Sequence, residues 1–322
     1  MAVLVTGAAG FIGASVSRAL IARGETVLGV DNLNDYYRPA LKAARLAGLQ
    51  TLKGFAFAEL DIADADALKK AARAAGVDRI VHLAAQAGVR YSIENPFAYV
   101  QSNLKGHVCV LELARDLEPK HTVYASSSSV YGGNTKTPFA ENDVTTDPVS
   151  LYGATKMSDE MLSNSYSRLY SLPLTGLRFF TVYGEWGRPD MAYWIFTEKI
   201  LRGEPIRVFN QGKMGRDFTY IDDIVAGVLA ALDRPAAGEP PHRIYNLGND
   251  QPEELMTLIE TVEAALGMTA EKQFEPMQLG DVERTWADVS RARAELGYDP
   301  KTPLAEGIPA FVDWYRKEGP FE

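Results

Sequence analysis

The sequence predicts an α/β protein, a doubly wound parallel sheet followed by a smaller mixed α/β C-terminal domain, and three observations carry that expectation. Short apolar runs alternate with longer stretches of helical period through the first 180 residues. A glycine-rich turn follows the first run. After Phe180 the alternation breaks, and Gly and Pro become frequent in the connections.

Each element has its own reason. Residues 3–6, 26–30, 55–59, 79–83, 122–125 and 174–179 are apolar runs of the kind a sheet buried on both faces requires. Between them, residues 11–23, 65–75 and 97–117 place apolar side chains at helical spacing. Pro96 falls where a first helical turn tolerates it, and Pro148 limits the start of the helix that carries Tyr152 and Lys156. Farther on, residues 191–202 and 253–266 read as helices and 206–209 and 217–221 as short strands. Residues 222–232 and 243–246 read as a helix and a strand that return to the first sheet, and 235–241, with Pro235, Gly238 and Pro241, as a surface loop. The expected division is a nucleotide-binding domain at 1–180 joined by 216–249, and a substrate domain at 181–215 with 250–322. No internal repeat or low-complexity tract interrupts it.

Composition narrows the function classes. With 322 residues, 46% hydrophobic and 23% charged, the chain can bury a sizeable core. No apolar run approaches the ~20 residues that span a bilayer. The N-terminus enters the first strand without a basic stretch, so neither a signal peptide nor a membrane partner is expected, and the expected location is the cytoplasm. A formal net charge of -9 argues against a nucleic-acid partner. The one cysteine, Cys109, excludes an intrachain disulfide and reads as a core residue. His82, His107, His121 and His242 lack metal-ligand spacing, so no metal is expected.

Two motifs carry chemistry. In Gly7-Ala8-Ala9-Gly10-Phe11-Ile12-Gly13, directly after a strand and before a helix, Gly7 permits a tight turn, Gly10 the approach of backbone N–H groups to a pyrophosphate, and Gly13 close helix packing. This is the Rossmann arrangement for a dinucleotide. Asp31 ends the second strand where a carboxylate accepts ribose hydroxyls and repels a 2′-phosphate, so NAD is favoured over NADP. The second motif is Tyr152 with Lys156. Four apart on a helix, they share a face, and the ammonium favours the phenolate of a tyrosine whose unperturbed pKa is ~10. Such a tyrosine can take a carbinol proton near neutrality.

These residues, with Leu83-Ala84-Ala85-Gln86, Ser126-Ser127-Ser128-Ser129-Val130-Tyr131-Gly132 and Leu177-Arg178-Phe179-Phe180-Thr181-Val182-Tyr183-Gly184, resemble the extended short-chain dehydrogenase/reductase family over nearly the whole chain. The resemblance implies NAD(P) as cofactor and, in many members, a nucleotide-sugar substrate. It adds Asn32, Asp61 and Ile62 at the adenosine end of the cofactor, Leu83, Ala84 and Ala85 along it, and Phe179 and Val182 near the nicotinamide. Ser127 would complete a catalytic triad with Tyr152 and Lys156. It also implies a homodimer formed through the helices near 97–117 and 152.

The residues beside Ser127 bear on the reaction. Relatives that dehydrate nucleotide-linked glucose resemble Thr-Asp-Glu there, and those that decarboxylate nucleotide-linked glucuronate resemble Thr-Ser-Glu. This chain has Ser127-Ser128-Ser129. Without a carboxylate, elimination lacks its acid and base, and 4-epimerisation through a transient 4-keto sugar is left. Within the family, the runs 86–92, 185–191 and 209–218 resemble enzymes that epimerise UDP-glucuronate to UDP-galacturonate. A substrate carboxylate calls for hydroxyl donors or a guanidinium, and Ser128, Ser129, Thr181 and Arg188 are the candidates. By the same resemblance Arg216 and Arg90 would approach the diphosphate, and Gln278 and Asp281 the uridine ribose, although Leu279 replaces an expected proline in that run. Two alternatives share the scaffold, UDP-glucuronate decarboxylase and UDP-glucose 4-epimerase. A third, of another class, is an NAD-sensing regulator that never turns over; it would have no need of Tyr152, Lys156 and Ser127.

Overall fold

The computed structural model describes residues 1–319. Its strands are β1 (Ala2–Thr6), β2 (Thr26–Asp31), β3 (Phe55–Glu59), β4 (Val77–His82), β5 (His121–Ser127), β6 (Leu174–Phe179), β7 (Thr181–Tyr183), β8 (Ile206–Val208), β9 (Gly215–Tyr220), β10 (His242–Leu247), β11 (Pro252–Glu254) and β12 (Lys272–Phe274). Its helices are α1 (Phe11–Ala22), α2 (Pro39–Gln50), α3 (Ala65–Ala75), α4 (Tyr91–Glu94), α5 (Pro96–Tyr99), α6 (Gly106–Leu117), α7 (Leu151–Tyr170), α8 (Ala192–Leu201), α9 (Ile221–Leu232), α10 (Leu255–Leu266), α11 (Ser290–Leu296) and α12 (Leu304–Glu318).

Seven strands form one parallel sheet in the order β10-β6-β5-β4-β1-β2-β3. Apolar layers cover both faces. Val16 and Leu20 of α1 pack with Ile224 and Val228 of α9 on one side, and Leu68 of α3 with Val110 and Leu111 of α6 on the other. Each such side chain, fully buried, contributes about 1.5–3 kcal/mol. Chain order reverses between β1 and β4, and in open α/β sheets that switch opens a crevice at the strands' C-terminal ends.

A smaller assembly covers that end. Antiparallel β11 and parallel β7 flank β9, and β12 pairs with β8. The buried rings of Tyr193, Trp194, Phe311 and Trp314 fill its core beside α8, α10 and α12. The Asp217 carboxylate accepts N–H groups of Asn249, Asp250 and Ala287 at 2.6–3.1 Å, tying β9 to the chain beyond β10.

Most expected elements stand within a residue or two of where the pattern puts them, and the exceptions have causes. The helix expected over 97–117 is α5 and α6 joined through a π-helical segment, Val100–Lys105. The helix expected from 253 starts at Leu255, because Glu253 and Glu254 pair with β9. Cys109 is half-buried rather than core, its Sγ facing Ala63 O, and burial raises its thiol pKa. The last three residues of the expected 250–322 segment lie outside the described residues.

Candidate active site

The ends of β1, β2, β4, β5 and β6 open into a cleft of about 880 Å³ roofed by residues near 188, 209 and 281. On the sheet side, the turn after β1 is built as its glycines require. Gly7 has φ +71°, and a Cβ on Gly13 would lie 2.0 Å from Gly7 O. Gly10 caps α1 without a side chain, leaving the N–H groups of the first turn for a ligand. Phe11, Ile12 and Gly13 line the cleft there. Asp31 accepts the N–H groups of Ala9 (3.1 Å) and Leu33 (2.9 Å), with Asn32, Asp61 and Ile62 beside it. Thr6 Oγ1 accepts from Leu83 N and Ala84 N at 3.1 Å, holding Leu83, Ala84 and Ala85 against the opposite wall. A side-chain-free cradle at a helix start, with a carboxylate at the next strand end, fits NAD.

Tyr152 and Lys156 stand on α7, whose Ser150 cap accepts from Gly153 N at 3.0 Å. Lys156 is 3% exposed, and its Nζ donates to Ala125 O at 3.0 Å and Asp159 Oδ2 at 3.1 Å. Burial pushes the Asp159 carboxyl up to about 6, against the pull of Lys156. The Tyr152 ring meets Tyr99 edge-on, centroids 6.2 Å apart. Facing them at the end of β5, Ser127 Oγ accepts from Ser129 N at 3.1 Å and donates to Ser129 Oγ at 3.2 Å. Beneath, Glu160 takes a bidentate pair from Arg178 at 2.8 Å and a bond from Ser126, pinning this strand end to α7. Phe179, Thr181 and Val182 border the same space, with Ser128 and Ser129.

On the roof side the guanidinium groups are already engaged. Arg188 donates from Nε and Nη2 to the two oxygens of Asp190, each at 3.0 Å, which leaves Nη1 without a protein partner among the described residues. Tyr36 donates to the same carboxylate at 3.0 Å. Arg216 donates to Asp281 Oδ1 and Val282 O at 2.6 Å. Arg90 lies 5.2 Å from the centre of the Phe209 ring, which Arg207 also meets at 4.8 Å.

Thus every expected site residue but one lines the cleft. Gln278 does not. Its Oε1 is buried without a partner among the described residues, and Leu279, 81% exposed at the tip of the turn, takes the lining place. Arg188, a candidate for the substrate carboxylate, is half-occupied by Asp190. The sequence reading missed Asn103, whose side chain bonds Gln86 N, Gln86 O and Thr155 Oγ1 (2.8–3.1 Å) from the π-helical segment and ties α7 to the wall after β4. It also missed Lys42, donating to Asn34 (2.6 and 2.7 Å), and Tyr36, Asp190 and Phe209, which line the cleft. The tyrosines of Asn34-Asp35-Tyr36-Tyr37 were a readable signal.

Sheet order and glycine turn together define a Rossmann-type nucleotide-binding protein. The chain belongs to the NAD dependent epimerase/dehydratase family, whose pattern matches residues 3–248. It is 50% identical to UDP-glucuronate 4-epimerase 4 of Arabidopsis thaliana, over 97% of this chain and 75% of that one. Among solved structures it resembles UDP-glucuronic acid 4-epimerase from Bacillus cereus in complex with UDP-glucuronic acid and NAD, with a TM-score of 0.92 and 34% identity over 98% of this chain and 99% of that chain. UDP-glucose 4-epimerase from Thermotoga maritima, with UDP-glucose, gives 0.90 and 32% over 98% and 99%.

Proposed function

We propose that the protein is an NAD-dependent UDP-glucuronate 4-epimerase, and the observation that carries this reading is what surrounds Tyr152. The end of β5 offers it three hydroxyls and no carboxylate. The carboxylates lining the cleft are Asp31 and Asp61, beside the glycine turn, and Asp190 and Asp281, each held by an arginine. Among the described residues none of them is hydrogen-bonded to Ser127, Ser128 or Ser129, where an elimination would need its acid and base.

Tyr152 Oη takes the proton of the sugar's C4 hydroxyl, directly or through Ser127 Oγ, with Lys156 one turn along α7 beside it. NAD, when bound, supplies the hydride acceptor at C4 and later the donor. Ser128, Ser129, Thr181 and the open Nη1 of Arg188 hold the substrate carboxylate. They keep its C–C bond out of line with the transient C4 carbonyl, because a β-keto acid so aligned loses carbon dioxide. The 4-keto ring then turns about its diphosphate link so that C4 is reduced on its other face, and Tyr152 returns the proton to the C4 oxygen. Arg216 and Arg90 serve the diphosphate and Asp281 the ribose, while Gln278 acts at most on the shape of that turn.

The nucleotide-binding work falls to 1–180 with 216–249, and the sugar-binding work to 181–215 with 250–322. The working form is a homodimer: Phe97 and Val100 (81% and 46% exposed) and Met161 and Leu169 of α7 (72% and 67%) are apolar surfaces on the helices that would pair. No helix of the described residues is long and apolar enough to cross a membrane. The cytoplasm, where UDP-sugars and NAD are available together, is the proposed location.

Proton NMR of incubations with UDP-glucuronate and, separately, UDP-glucose tests the reading. Conversion of the acid alone to its galacto epimer is expected. A UDP-pentose would mean a decarboxylase, conversion of the hexose a UDP-glucose epimerase, and tight NAD binding without turnover a regulator.

A further inference from the structure

Arg45 is a buried cation with no carboxylate on it. The side chain is 1% exposed, yet all five N–H donors of its guanidinium are used. Nη1 donates to Ala9 O (3.2 Å) and Tyr37 Oη (2.6 Å), Nη2 to Trp186 O (2.6 Å) and Gly187 O (2.7 Å), and Nε to Trp186 O (3.0 Å). Three of its acceptors are thus main-chain carbonyls. Ala9 O belongs to the glycine turn after β1; Trp186 O and Gly187 O belong to the loop that leads into Arg188.

That loop does not hold its shape cheaply. Trp186 has φ +60°, a left-handed conformation uncommon for a side chain of its size, and a Cβ on Gly187 would lie 1.8 Å from Tyr193 Oη. A backbone in such a conformation persists only where its surroundings over-determine it. Burying a cation among carbonyl dipoles is costly unless every donor is satisfied, and here every donor is. Tyr36, next to Tyr37, bonds Asp190, which grips Arg188, so the segment before α2 reaches the loop at a second point.

We propose that Arg45 is a positioning residue for substrate selection: it bolts the loop bearing Arg188 to the glycine turn, and so fixes where the carboxylate-selecting guanidinium stands relative to the bound cofactor. Arg45 touches neither substrate nor cofactor and acts through Arg188. The inference rests on the glucuronate reading for its ligand, and it requires a planar fork of five donors. A lysine, with three donors on a point charge, cannot hold both loops.

The test measures calorimetric affinities for UDP-glucuronate and UDP-glucose, with NAD saturating, in a Tyr152→Phe background where no turnover disturbs the titration. Adding Arg45→Lys should shrink the preference for the acid about tenfold, chiefly by weakening the acid, since a charge-assisted contact is misplaced. Tyr37→Phe, which removes one of the five bonds and is a milder risk to folding, should shift the ratio about two- to threefold in the same direction. Thermal midpoints are read alongside. If the midpoint falls in both variants and the ratio does not move, Arg45 is packing only and the proposal is overturned; so is it if the Tyr152→Phe parent shows no preference for the acid. A collapsed ratio in a protein whose parent with Tyr152 restored never epimerises UDP-glucuronate would instead retain Arg45 and sink the proposed reaction.

Discussion

The two walls of the cleft are built differently. The glycine-turn wall is set by backbone: a positive φ at Gly7, a helix start with no capping side chain, and carbonyls and amides locked onto the neighbouring strand. The arginine wall is set by charge pairs among its own side chains, Arg188 on Asp190 and Arg216 on Asp281. One wall is shaped before a ligand arrives. On the other, a ligand's anionic groups must share or replace partners the chain already provides, which favours discrimination over raw affinity.

The largest effect belongs to the proton-transfer group between the walls. Tyr152→Phe should lower kcat by about 10³-fold or more in the NMR assay while NAD and UDP-sugar binding persist; retained turnover would refute the assignment. The backbone wall should yield next. Gly13→Ala, with no space for the methyl, should weaken NAD about 100-fold by fluorescence titration and lower the melting temperature. On the charged wall, Arg216→Gln should raise KM about tenfold for UDP-glucuronate and UDP-glucose alike, whereas Arg188→Gln should do so for the acid alone. Equal effects of both substitutions on both sugars would erase the distinction drawn between these arginines.

Acid should discriminate between the walls more gently. All four histidines lie on the seven-stranded side, at His82, His107, His121 and His242, and burial depresses each; His107 falls to about 3, His121 and His242 to about 4. Because an unfolded histidine titrates near 6.5, the unfolded chain binds protons the native one refuses below that pH. Stability from these residues is therefore complete above about pH 6.5 and is lost as pH falls toward 4, by about 1.4 kcal/mol per pH unit for each. Asp159 runs the other way, since its raised folded-state value favours the native state as it takes up a proton below about 6. Urea titrations at pH 7.5 and 5.5 should show the net loss, and replacing His121 with Gln should reduce its pH slope.

How much of this was legible follows from the range of each interaction. The main sheet and the Tyr152–Lys156 pair announce themselves through spacings of a few residues, which sequence displays directly. Helix α2 was not seen because its buried face is Leu41, Lys42, Arg45, Leu46 and Leu49, so two cations interrupt the apolar stripe that marks a helix. Helix α12 hides behind Pro309 in its interior. The pairing of β11 with β9 and the bond from Arg216 to Asp281 join residues whose proximity only the finished fold creates. Whether a guanidinium is free or taken is likewise a tertiary fact, so the pairing of Arg188 with Asp190 is not written in the spacing of the two residues.

The return of the chain to its first sheet has a consequence for synthesis and for engineering. Strand β10 completes the edge beside β6 only after β7, β8 and β9 have been made. A nascent or truncated chain ending near residue 180 would leave the whole side of β6 unpaired, a template for aggregation. Transplanting the sugar-binding part onto another family member therefore calls for cuts at three seams, one after residue 180 and one on each side of the α9–β10 passage, rather than a single exchange of C-terminal halves.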